Sequence, residues 1–160
     1  MKKNIALSVC SVTLICCFVL NQASAQMAGG EVAAGVRLGG STGATVKFYG
    51  GGNRSAIEVL GLWNFDKDVE GFGITALWEK LAPLSGNNRI NAIIGGGPAM
   101  VFGDEFRFGL TGILGFDWRL KAPINLQVDW APTWYFVNGS DFSGTNVAFS
   151  VRYVLNRKRK

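Results

Sequence analysis

Few side chains in this 160-residue sequence could carry chemistry, and one type is missing altogether. There is no histidine, so Ser-His and Asp-His pairings are out of reach. The three cysteines, Cys10, Cys16 and Cys17, crowd near the N-terminus and leave the body of the chain without a thiolate. With neither imidazole nor thiolate there, no good zinc site can be assembled. Carboxylates remain. Asp117 and Asp129 occupy like positions in consecutive segments and could in principle form an acid–base pair. The competing reading pairs them with Arg107, Arg119 or Arg152, and it is the stronger one because buried charges are normally neutralised. Gly95-Gly96-Gly97 lies in an extended segment with no helical pattern after it, so it is no dinucleotide fingerprint. The expectation is a non-enzymatic protein with no metal and no cofactor.

The elements that must position these charges repeat one pattern. From Gln26 on, apolar and polar residues alternate for about ten positions, and then a turn-rich stretch interrupts. Period two means strand, because successive side chains point to opposite faces. The clearest segment is Phe106 to Leu120. Phe106, Phe108, Leu110, Leu114, Phe116, Trp118 and Leu120 share one face; Arg107, Thr111, Asp117 and Arg119 share the other. Ile124 to Phe136, Val147 to Leu155, Val32 to Leu38 and Ala44 to Phe48 behave alike. Ala56 to Phe65, Phe72 to Glu79 and Arg89 to Phe102 are noisier; Leu60 and Leu62 break the polar face of the first. Eight strands result. Their connectors, among them Gly39–Gly43, Gly103–Asp104, Lys121–Pro123 and Asn138–Gly144, are short enough to force antiparallel neighbours.

The N-terminus reads as an export signal. Lys2 and Lys3 precede an apolar run from Ile5 to Leu20, and Ala23-Ser24-Ala25 forms a small-x-small cleavage site before Gln26. The run is short of the roughly 20 residues that a spanning helix needs. A lipoprotein signal at Cys16 or Cys17 fits poorly, because a small residue should precede the cysteine. The expected organisation is a cleaved signal over 1–25, one domain over 26–155 and a basic tail over 156–160. The net charge of +5 falls to +3 without Lys2 and Lys3. Four of the remaining cations are Arg157, Lys158, Arg159 and Lys160, so the basic balance is a tail effect and not a nucleic-acid footprint.

Alternation alone does not say which face meets water. A soluble two-sheet sandwich would bury the apolar face. Three features point instead to an eight-stranded antiparallel up-and-down transmembrane β-barrel. The polar face is rich in glycine (Gly35, Gly73, Gly95, Gly97, Gly109, Gly115), which would make room for long charged neighbours inside a narrow barrel. Aromatic residues of the apolar face gather in two rims. One holds Trp63, Phe65, Phe72, Phe102, Phe106, Trp134 and Phe136; the other holds Phe48, Trp78, Phe116, Trp118 and Tyr153. Segment length also matches the ~9–11 tilted residues of a spanning strand.

A cleavable signal, eight amphipathic strands and the aromatic-bearing last segment, Val147-Ala-Phe149-Ser-Val151-Arg-Tyr153-Val-Leu155, resemble the small eight-stranded outer-membrane barrels, the OmpA transmembrane domain and the OmpX-like and OmpW-like proteins. The resemblance covers about Gln26 to Leu155 and is one of pattern. It implies outer-membrane lipid as partner, the barrel assembly machinery during insertion, a monomer, and the outer membrane of a Gram-negative bacterium as location. Barrel enzymes of that membrane resemble one another in using a histidine, which is missing here.

The inward charges are then Arg37, Lys47, Glu58, Glu79, Arg107, Asp117, Arg119, Asp129 and Arg152. Eight strands leave an interior just wide enough for side chains to fill. Opposite charges there should cross-link, which favours a closed structural or surface-interaction barrel. Two other readings are a narrow channel or carrier for small solutes, and a secreted soluble β-sandwich or lipid-binding barrel.

Overall fold

The structure, a computed structural model, describes residues 30–50, 54–64, 71–84, 86, 89–103, 105–137 and 140–155. The expected signal and its Ala25–Gln26 cleavage site, girdle residue Phe65 and the basic tail lie outside the described residues. The described chain forms strands β1 (Val32–Gly39), β2 (Thr42–Tyr49), β3 (Ser55–Asn64), β4 (Gly71–Pro83), β5 (Ile90–Gly103), β6 (Arg107–Arg119), β7 (Ile124–Trp130), β8 (Thr133–Tyr135), β9 (Asp141–Ser143) and β10 (Val147–Val154). Between them the described residues hold only turns and irregular backbone.

All pairings are antiparallel; β1 to β7 pair with their sequence neighbours, β8 pairs with β6 and β9, β10 pairs with β7, and β1 closes the ring against β10, with Val36 opposite Val151. β7 and β8 make one strand of the ring and β9 and β10 another, so the ten segments build a closed eight-stranded barrel. The sheet closes on itself, with β9 paired on one side only, and this ring replaces the two-sheet sandwich. Following the paired residues once around accumulates a stagger of about ten residues, which tilts the strands by roughly 40°.

The strand outlines sharpen the sequence pattern. β4 runs on to Pro83, past the expected end at Glu79. The expected connector Asn138–Gly144 contains β9, whose Trp134–Phe142 pairing extends the wall. Between β8 and β7, Ala131 and Pro132 face Gly144, Thr145 and Asn146, a two-against-three bulge. Proline has no N–H to offer there. Ala131 N–H still reaches Asn146 O at 2.8 Å, and the Trp130 indole donates to Gly144 O at 2.6 Å.

The inward glycines serve a purpose other than the one expected. A Cβ on Gly35 would sit 1.9 Å from Val151 O, and one on Gly97 the same distance from Ala76 O. On the concave side of a tightly curved sheet neighbouring backbones converge, and these positions tolerate only a hydrogen. Gly73 alone of the six matches the expectation of free room, its nearest atom lying at an ordinary 3.5 Å.

Candidate functional site

Strand alternation sorts the molecule into two surfaces. The outer one is apolar and bare: Ile94 is 62% and Leu110 56% exposed. The inner one holds the charges: Arg37, Lys47, Glu58, Glu79 and Asp117 are 0% exposed. This inverts the usual arrangement of a protein in water, where charged groups are almost never fully buried unless paired.

Pairing is what the interior supplies. Arg37 and Asp129 form a two-pronged contact, with both N–O distances at 2.7 Å. Register explains their meeting although 92 residues separate them: β1 places Gly39 opposite Ala148 of β10, and β10 places Ala148 opposite Asp129 of β7. Arg152 binds Glu58 through Nη2, Thr45 through Nε at 2.9 Å, and Asn125 and Gln127 through Nη1 at 3.1 and 3.0 Å. Thr45 also donates to Glu58 at 2.6 Å.

Lys47 is the hub. Its ammonium lies 2.5 Å from Glu79, 3.5 Å from Asp117 and 3.7 Å from Glu58, and donates to Gln127 Oε1 at 2.7 Å. Three carboxylates converging on one point resemble a cation site, and the cation in it is this side chain. Gln127 joins the halves of the network by donating to Asp129 at 2.9 Å. The fully buried set holds three cations, Arg37, Lys47 and Arg152, against four carboxylates, Glu58, Glu79, Asp117 and Asp129.

The other two expected lumen charges sit toward the rims. Arg119 lies where the described chain begins and ends, 3.0 Å from Glu31 and 3.9 Å from Asp117, with its guanidinium 4.0 Å from the Tyr49 ring centre. Arg107 is at the far rim, 3.7 Å from Asp141. Asp117 and Asp129 face different cations, Lys47 and Arg37 respectively. Pattern reading left Tyr49 out of the network, because its strand was ended at Phe48. Tyr49 is buried and its hydroxyl donates to Asp117 at 2.8 Å. Thr45, Asn125 and Gln127 stood on the polar face by alternation, and lacking charge they were not singled out.

The interior is not polar throughout. Leu60, Leu62, Leu77, Leu81, Ile93 and Ile113 cover the inner wall of β3 to β6. Toward the far rim these give way to a recess of about 20 Å³, lined by Leu60, Leu62, Thr75, Val101, Thr111 and Thr133 among others. That is room for roughly one water.

Outside, aromatic side chains among the described residues stand toward both ends of the strands. At the far rim Trp63 meets Phe72 edge-on at 5.5 Å, and Phe102 lies 5.5 Å from Phe106. Trp134 and Phe136 are exposed beside them, and Phe108 and Phe142 add rings that the pattern left out. At the terminal rim Trp78, Phe116, Trp118 and Tyr153 are exposed. Phe48 points outward by its register between Val32 and Ile57 and is 5% exposed.

Among the described residues there is no group of three or more His, Cys, Asp or Glu side chains that could hold a metal ion. Comparison with protein-family models, with curated proteins and with solved structures finds no match. The class of protein is therefore the one that the fold defines, a small closed antiparallel β-barrel with a charged interior and an apolar exterior.

Proposed function

We propose that this chain is an outer-membrane β-barrel of the OmpA-, OmpX- and OmpW-like kind. Its duty is structural or surface-interacting, and its lumen is plugged by its own ion pairs. The observation that carries this reading is the inversion of surfaces: large apolar side chains stand bare outside while charged ones are fully buried inside. Water gives that exterior no stabilisation, whereas a bilayer core does, and only helices or closed barrels satisfy every backbone group there. The Trp130 indole bonded to Gly144 O supports the same environment, because a bulge carbonyl facing lipid has no water to turn to.

The packing supports the plug. Arg37, Lys47 and Arg152 reach across the lumen to β3, β4, β6 and β7, and the leucines and isoleucines fill the wall opposite. Each engaged pair would have to be broken to admit an ion, at a cost of several kcal/mol. No catalysis is proposed, for want of histidine and of an uncommitted carboxylate pair. The test is planar-bilayer conductance of the purified protein. A quiet bilayer after verified insertion is the expected result, and steady single-channel steps would overturn the plug in favour of a narrow channel.

A further inference from the structure

One charge stands on the wrong surface. Among the described strand residues, Lys80 is the single charged side chain at an outward position; every other outward residue from β1 to β10 is apolar or a small neutral one. Its ammonium lies 5.0 Å above the centre of the Trp78 ring, two residues away on the same face. Lys80 is opposite Ser55 in register, and the preceding residue, Arg54, is exposed and accepts a bond from Leu81 N–H. Exposed Arg89 and Lys121 occupy the next two turns of the same rim. The described acid of this rim, Glu31, is half-buried and bound to Arg119. At the far rim the exposed charges include the acids Glu105 and Asp141.

We propose that the rim formed by Arg54, Lys80, Arg89 and Lys121 is a collar that binds the phosphate groups of anionic phospholipids, with Lys80 as its lipid-facing member. The proposal rests on the membrane reading above. A lysine at mid-depth on a lipid face is strongly unfavourable, but near the interface the cost falls to roughly 0–1 kcal/mol, and its stem can lie along apolar surface while the ammonium reaches the headgroups. Trp78 fits the same level, where amphipathic rings collect. Four cations spread along that rim, without an exposed carboxylate among its described residues, complement an anionic surface, and each should favour it by about fivefold.

The test refolds the full mature chain into phosphatidylcholine vesicles and follows spin-labelled phosphatidylglycerol and phosphatidylcholine at the protein surface. Wild type should prefer the phosphatidylglycerol label by about fivefold or more at low salt. The variant carrying Lys80→Gln and Arg54→Gln should lose most of that preference, and Glu105→Gln at the far rim should keep it. Equal association of the two labels, or a preference untouched by the double substitution, would overturn the collar while leaving the membrane reading standing. Displacement of the labelled lipid by inorganic phosphate, beyond chloride of equal ionic strength, would overturn the assignment to a lipid. Failure to insert into the vesicles at all would overturn the membrane reading and the collar with it.

Discussion

Arg152 shows how much one side chain in a closed lumen can be asked to hold. It engages Glu58, Thr45, Asn125 and Gln127 with no exposed surface of consequence. Removing one partner of such a pair leaves an uncompensated buried charge, whereas removing both does not. Arg152→Leu should therefore destabilise the barrel by about 3–5 kcal/mol in urea unfolding from vesicles. Adding Glu58→Leu should recover most of the loss, and a double substitution worse than the single one would contradict the pairing. Alternation was enough to turn both residues inward, as it was for Arg37, Lys47, Glu79, Asp117 and Asp129. It could not choose partners. Asp129 meets Arg37, a pairing that depends on the β1–β10 closure and hence on register around the whole ring. Register is a tertiary quantity that no local pattern of residues contains.

At the scale of the strand, curvature sets the sequence. Gly97 lies where a Cβ would meet Ala76 O at 1.9 Å, whereas Gly73 has ordinary contact distances. Gly97→Ala should cost about 1–3 kcal/mol by forcing β4 and β5 apart. Gly73→Ala should stay within about 0.5 kcal/mol, near the range of unstressed sites. Equal effects in the same unfolding measurement would show that convergence of backbones is not the reason for the glycines. The eight strands themselves were legible, because period two survives even in the noisier segments. Where legibility failed, period two was itself interrupted. Pro132 and the residues Gly144 to Asn146 form a bulge, and the turn-like run from Asn138 to Gly144 concealed β9. Bulges add a residue to one side of a ladder, so a strand that continues past one looks in sequence like a strand that has ended.

For the whole molecule, the shape and the sorting of surfaces lead to one expectation about location. Many of its large apolar side chains face outward and are exposed, which is the pattern that a surrounding apolar phase would cover. Apolar exterior, aromatic side chains toward both strand ends, and exposed cations at one rim with exposed acids at the other are what the proposed bilayer position would use. The closed barrel was readable from strand number and short connectors. The apolar part of its lumen was legible only in part: alternation turns Ile113 inward, and Leu60 and Leu62 interrupt the polar face of β3, but Leu77, Leu81 and Ile93 sit on the inner face, where the rule of polar-inside alone would not put them. The most direct measurement is cell fractionation of the expressed protein without detergent, followed by gel mobility before and after boiling. Membrane residence in a folded barrel predicts sedimentation with the membrane fraction and a faster-migrating unboiled band that converts on heating. Recovery of the protein from the aqueous fraction, with a single band unaffected by boiling, would contradict it.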